Sequence, residues 1–266
     1  MCGLCGVIVG RQAKRQVREI DALSDTFIKL LLGSEHRGPY ATGAAWVKRD
    51  GSMQVAKEPL PACAFVQSGV FLEWLLGVDR QVTYLMGHTR WPSRGSVRNA
   101  AENHPICASP ILLTHNGTIT DHARHFRRLE LPRTTQVDSE LLARLAQHHT
   151  GQDGTNIADF LAGLSPLEGS MSAALVATSR PDEILLLKGN MPLEILLHRK
   201  RRLLLYASER RILDRVLGGE AGWEEVFLAP GEALVINATE IHAPCRWRFS
   251  FLGMARESMC QRLTGA

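Results

Sequence analysis

A cysteine stands directly behind the initiator methionine, in Met1-Cys2-Gly3-Leu4-Cys5-Gly6, and it leads into an apolar run, Leu4 to Val9, that reads as a buried strand. Methionine is normally clipped from a chain whose second residue is small, so the mature chain is expected to begin at Cys2. Thiol and α-amino group would then share one residue. Thiolate is the nucleophilic form of sulfur, and an amine with a pKa of roughly 8, against roughly 8.5 for the thiol, can act as base for its own side chain. The alternative for this residue alone is an ordinary cysteine at a strand start. The rest of the chain has to decide between them.

The chain has 266 residues, 45% of them hydrophobic, enough for a sizeable core without disulfide staples. No apolar run reaches the roughly 20 residues of a membrane span. The opening stretch lacks the basic flank and length of a signal peptide. Cys2, Cys5, Cys63, Cys107, Cys245 and Cys260 are scattered, and Cys2-Gly3-Leu4-Cys5 has no second pair or histidines at metal spacing. A cytoplasmic, reduced protein with no metal and no cofactor is the expectation. A net charge of +4 is too small to imply nucleic acid. The basic clusters Arg124 to Arg128 and His198 to Arg202 carry no interleaved stacking aromatics, so they read as solvated surface rather than a DNA or RNA site.

The first strand gives way to a helical stripe of Val17, Ile20, Leu23, Phe27, Ile28 and Leu31, with Gly33 at the expected C-cap. Strand-like runs follow at Gly43 to Val47, Gln54 to Lys57, Tyr84 to Arg90 and Ile111 to His115, with a helical turn or two at Val70 to Leu76. Helices are predicted at Ser139 to Gln147 and Ile157 to Leu164. Strands are predicted at Ser172 to Thr178, Ile184 to Lys188, Leu193 to His198, Leu203 to Ala207 and Glu232 to Ile236. Ser208 is placed as the cap of a helix to Leu217, stopped by Gly218-Gly219. Hairpins interrupted by amphipathic helices point to a layered α+β domain. One domain over 2–244, with 245–266 as a tail packed on it, is the expected division.

Four further clusters carry chemistry: His36-Arg37-Gly38, Gly87-His88-Thr89-Arg90-Trp91, His115-Asn116-Gly117 and Val137-Asp138-Ser139-Glu140. Each has a plain alternative. Asn116-Gly117 is a hairpin turn signal, Asp138 could be no more than a helix N-cap, and Arg90-Trp91 could be a surface cation on an indole. Together, in this order behind an N-terminal cysteine, they resemble the glutaminase domain of class II glutamine amidotransferases, of the N-terminal-nucleophile hydrolases, in the glucosamine-6-phosphate synthase flavour. The resemblance runs from Cys2 to about Ile236 and takes in Pro192-Leu193 and the Pro230-Gly231-Glu232 turn. It implies a four-layer α/β/β/α sandwich with two antiparallel sheets face to face.

The resemblance also implies the roles. Cys2 would attack the side-chain amide carbon of L-glutamine, forming a γ-glutamyl thioester and releasing ammonia. Asn116 and the Gly117 N–H would form the oxyanion hole, where each fixed donor typically contributes about 3–4 kcal/mol. Arg90 would clamp the α-carboxylate and Asp138 the α-ammonium. Trp91 and Ser93 would lie in a loop over the substrate, and His104 would lend a supporting contact.

The chain departs from the family in two places. Tyr40 stands where the family has an aspartate, and Asn103 directly precedes His104 where the family pattern is Asn-Ala-His-Pro. No acceptor motif follows the glutaminase stretch, so a separate ammonia-accepting synthetase or transferase subunit is expected, with no membrane or nucleic-acid partner. The rivals are a stand-alone amidohydrolase for another γ-glutamyl compound and a non-catalytic regulatory or scaffold protein of the same fold.

Overall fold

The computed structural model describes residues 1–12 and 15–254. In chain order the elements are β1 (Gly3–Val9), α1 (Val17–Ser34), β2 (Ala41–Lys48), β3 (Met53–Glu58), α2 (Ala62–Phe65), α3 (Gly69–Leu75) and β4 (Val82–Arg90). Next come β5 (Ile106–Ala108), β6 (Ile111–Ile119), α4 (His122–Arg128), α5 (Ser139–His148), β7 (Thr150–Gly151), β8 (Gly154–Thr155), α6 (Ile157–Gly163) and β9 (Gly169–Ala177). The last are β10 (Glu183–Lys188), β11 (Glu194–His198), β12 (Leu203–Ala207), α7 (Arg210–Leu217), β13 (Glu224–Glu225), β14 (Glu232–Asn237) and β15 (Cys245–Arg248). One antiparallel sheet runs β13-β11-β12-β1-β4-β2-β3 and a second β15-β14-β10-β9-β6-β5; β7 and β8 form a small hairpin apart.

Strand β1 shows why the layers stack. Its Leu4 and Ile8 enter a core shared between the sheets with Tyr84, Met86, Leu112, Val176 and Leu186. Its Cys5, Val7 and Val9 face the other way, onto Leu23, Phe27, Leu30 and Leu31 of α1. A strand buried on both faces reads as a continuous apolar run instead of an alternating one. The second sheet covers its outer face in the same manner, with Leu113, Leu175 and Leu185 against Leu141, Leu142 and Leu145 of α5 and Phe160 of α6. Helix, sheet, sheet, helix is the expected α/β/β/α order.

Local differences from the sequence reading have physical causes. Gly33 lies inside α1, which runs on to Ser34, and the Cβ it lacks would sit 3.1 Å from Ile212 of α7. Ser208 does not cap α7; Glu209 holds that position, and the Ser208 hydroxyl accepts the Leu4 N–H at 2.8 Å. Gly218, in the left-handed conformation, does stop α7. Asn116-Gly117 is no hairpin turn, because β6 runs through it to Ile119. The basic cluster at 124–128 lies in α4, which buries His122, His125 and Phe126. Trp247 sits in β15, paired to β14, and Phe249 and Phe251 are buried against the second sheet; Cys260 and the rest of 255–266 lie outside the described residues. Among the described residues no helix is long and apolar enough to cross a membrane.

Candidate active site

Strand register brings the candidate residues together. Gly3 pairs with Thr89, and Ala41 pairs with Arg90, so Cys2, Arg90-Trp91 and Tyr40 meet at one end of the first sheet. The Cys2 thiol lies between the backbone groups of Trp91, with Sγ 3.4 Å from both its N and its O. Burial raises the thiol's pKa above its ordinary value, while the Trp91 N–H, the terminal ammonium and Arg90 pull it down. The Cys2 carbonyl accepts from Arg37 Nε at 2.7 Å. Arg37 is buried and ion-paired to Glu209, which also accepts from His36 and Arg211. Burial alone would raise the Glu209 carboxyl; the hydrogen bonds from Arg211, Arg37 and His36 instead hold it at about 2.

Arg90 is turned inward, 3% exposed, and does not stack on Trp91. Its guanidinium donates to the backbone oxygens of Arg94 and, at 3.4 Å, Ser96, and to Asn103 Oδ1 at 2.7 Å. The indole of Trp91 is half exposed and meets the Tyr40 ring edge-on, with centroids 5.0 Å apart. Tyr40 thus supports the loop by ring contact.

The second sheet supplies the other wall. Gly117 has φ +139°, and a Cβ there would lie 2.0 Å from the Ser170 carbonyl oxygen, so the close β6–β9 approach requires glycine. Asn116 is 1% exposed and its Nδ2 has no hydrogen-bond partner. A buried donor without a partner is costly, and such groups concentrate where a ligand completes them. Asp138 makes no side-chain cap bond to α5; its carboxylate accepts the Ile119 N–H at 2.6 Å across the layer. The bare N-cap reading of Asp138 therefore does not hold.

Three imidazoles fill the space behind. His88 and His104 stack with centroids 4.0 Å apart, and His88 Nε2 donates to the His115 carbonyl at 3.2 Å. His115 Nε2 faces the Ser170 carbonyl at 3.3 Å and so carries the proton, which leaves Nδ1 to accept from Ser139 Oγ at 2.9 Å. Burial, with the Arg90 charge nearby, keeps His88 at about 3 and pushes His104 well below its ordinary value, and burial lowers His115 against the opposing pull of Asp138. Burial thus favours the neutral form of all three. Neither ring nitrogen of His104 has a partner.

Cys2, Arg90, Trp91, Ser93, His104, Gly117 and Asp138 line one cleft, together with Arg94, His115, Val137 and Ser139. Asn116 does not line it but sits beside Gly117. The void among them is about 20 Å³, room for about one water and too small for an amino acid. A larger cavity of about 660 Å³ lies toward the far end of β1, lined by Arg18, Lys29 and Arg201 among others, and holds none of the candidates. Sequence reasoning missed Glu209, Glu102 and Asn103 as parts of this site. Arg37 sat in a noted cluster without a role; nothing local marks Glu209, whose partner Arg37 is 172 residues away.

No family model matches the chain. It is 27% identical over 200 residues to the glutamine–fructose-6-phosphate aminotransferase of Aeropyrum pernix, covering 73% of this chain and 30% of that protein. The corresponding protein of Idiomarina loihiensis is 25% identical over 244 residues, covering 90% and 36%. Among solved structures, the glutamine phosphoribosylpyrophosphate amidotransferase of B. subtilis superposes with a TM-score of 0.69 at 22% identity, over 94% of this chain and 49% of that one. The chain resembles the class II glutamine amidotransferases. Its fold is that of their N-terminal-nucleophile hydrolase domain. The chain spans about a third of the length of these curated relatives.

Proposed function

We propose that this chain is a class II glutamine amidotransferase domain that hydrolyses L-glutamine to glutamate and ammonia through a γ-glutamyl thioester on Cys2. The observation that carries the reading is the single cleft in which a partly buried thiol meets one buried guanidinium, at the end of β4, and one buried carboxylate, at the start of α5. Free α-amino acids present the matching pair of charges. Arg90 would exchange the Arg94 and Ser96 carbonyls for the substrate's carboxylate, and Asp138 would take its ammonium. With Met1 removed, the Cys2 amine takes the thiol proton as sulfur attacks the amide carbon. The oxygen that gains charge is met by Asn116 Nδ2 and the Gly117 N–H. The amine then protonates the leaving nitrogen, ammonia departs, and water hydrolyses the thioester with the same amine as base. The neutral imidazoles supply shape and a dry wall without a competing charge. His104 lends its support there, and Trp91 and Ser93 belong to the cover.

Ammonia in neutral water is mostly protonated and loses its nucleophilicity. The product is therefore passed to an acceptor site outside these residues, on a separate cytoplasmic synthetase or transferase subunit. The domain takes in 2–244 and, through the pairing of β15 with β14, also Cys245–Arg248 of the stretch expected as its tail.

Incubation with L-glutamine, with glutamate and ammonia as readouts and the N-terminus read by mass spectrometry, tests the core of this. Turnover is expected only from chains that begin at Cys2, and Cys2→Ala should lower it by at least about 10³-fold with the fold intact. Full activity with Met1 retained sinks the mechanism. Faster cleavage of γ-glutamyl amides of larger amines than of glutamine would favour the stand-alone amidohydrolase.

A further inference from the structure

The loop that follows Trp91 is tied down by a carboxylate that the chemistry above does not use. Glu102 ends a short 3-10 turn, Ala100–Glu102, and is 4% exposed. One oxygen accepts the Ser96 N–H at 2.6 Å, and the other accepts the Gln136 N–H at 3.1 Å. Ser96 is in the loop whose carbonyls surround Arg90, and Gln136 lies two residues before Asp138. The same side chain therefore bridges the segments that carry the two charge anchors. Its neighbour Asn103 completes the arrangement, accepting from Arg90 at 2.7 Å and donating to the Val97 carbonyl at 2.6 Å. The far side of the 134–138 segment is fixed independently, by Glu140, which accepts from the backbone and hydroxyls of Thr134 and Thr135. Gly95 passes so close that a Cβ would lie 2.4 Å from Glu102 Oε2, with φ at +71°.

We propose that Glu102 is a positioning residue whose buried carboxylate clasps the 92–99 loop onto the segment before Asp138, setting the gap between Arg90 and Asp138 and controlling access to Cys2. Two backbone N–H groups converge on it, and only a group with two acceptor oxygens satisfies both. A carboxylate does so; a carboxamide leaves one N–H facing its own NH2. The closed cleft, with room for about one water, is the clasped state, so substrate entry requires the Ser96 contact to open and product formation requires it to close. The proposal rests on the glutamine reading for the identity of the substrate, but the clasp itself does not.

The test uses the full chain with Glu102→Gln and, separately, Gly95→Ala, which displaces the carboxylate while leaving its charge. Alkylation of Cys2 by iodoacetamide is followed on its own peptide by mass spectrometry, alongside thermal melts and glutamine kinetics. Glu102→Gln is expected to melt near the parent and Gly95→Ala somewhat lower, and both to alkylate Cys2 about tenfold faster and to raise KM for glutamine about tenfold while kcat changes little. An unchanged Cys2 alkylation rate in either folded variant overturns the clasp. If the parent chain does not turn over glutamine, the proposed function falls, and the alkylation rates still decide this inference. If Glu102→Gln fails to fold, Gly95→Ala, on an exposed loop, carries the same readouts.

Discussion

On one wall of the cleft, Cys2 hangs from a charged chain that reaches the surface: its carbonyl takes a hydrogen bond from Arg37, and Arg37 pairs with Glu209, which His36 and Arg211 also hold. On the other wall, Gly117 and the His115 ring behind it are placed by strand sterics and by backbone and neutral hydrogen bonds inside the protein. The first wall is adjustable by pH and by single charges. The second is fixed by what fits between β6 and β9, and it should respond to bulk rather than to charge. The proposed nucleophile and the proposed oxyanion site thus depend on different physics although they share one cleft.

The largest effect should come from breaking the sterically fixed wall. In Gly117→Ala the new methyl would lie 2.0 Å from the Ser170 oxygen at a φ of +139° that L side chains rarely adopt. Either β6 and β9 separate or the turn of backbone that presents the Gly117 N–H is lost. Glutamine turnover is expected to fall about 100-fold or more, and urea unfolding to show a loss of about 2–3 kcal/mol. A variant with near-normal activity and stability would mean that the second wall is not the rigid one.

What the sequence revealed follows the same division. Short-range signals were legible: the apolar run of β1, the α1 stripe, and Gly218 at the end of α7 all came from neighbouring residues. The motif residues Cys2, Arg90, Gly117 and Asp138 were legible as a set, and strand register, with the start of α5, does bring them to one cleft. What failed was pairing across the fold. Ser208 has the chemistry of a cap, but Glu209 holds the N-cap of α7 and the Leu4 N–H takes the Ser208 hydroxyl. Asn116-Gly117 has turn chemistry, but nine paired positions with β9 hold it extended. Glu209 carries no local mark at all.

An intermediate effect is expected from breaking the charged wall with Glu209→Gln. The buried Arg37 would lose its counter-ion, and its Nη2 already has no partner. The Cys2 carbonyl would then be held less firmly, and kcat is expected to drop about tenfold with KM little changed. The pH sign is set by a carboxyl held at about 2 in the fold, below its ordinary 4.5. A depressed folded pKa contributes stability above the unfolded pKa, and that contribution is lost as pH falls through the folded one. Melts from pH 7 to pH 2 should therefore show the stability gap between parent and variant constant down to about pH 4.5 and shrinking below it. A gap that stays constant to pH 2 would remove Glu209 as the pH-sensitive element.

The smallest effect should come from Cys5→Ala, which sharpens the comparison within a single strand. Cys2 and Cys5 are three residues apart, but the first is half-buried at the cleft and the second is wholly buried against α1. Burial pushes the Cys5 thiol up to about 12, so it stays protonated and inert at neutral pH. Its sulfur fills space opposite Gly87, where a Cβ would lie 2.8 Å from it, so its removal leaves a small void beside Phe27 and Leu31. The expected cost is about 1 kcal/mol of stability, with glutamine turnover within about twofold of the parent. Iodoacetamide should label Cys2 and the exposed Cys63, Cys107 and Cys245 in the parent, leaving Cys5 unmodified until the protein is denatured. If Cys5→Ala lost more than about tenfold in turnover while melting normally, the thiol three residues into the strand would belong to the chemistry, and the assignment of the nucleophile to Cys2 alone would have to be given up.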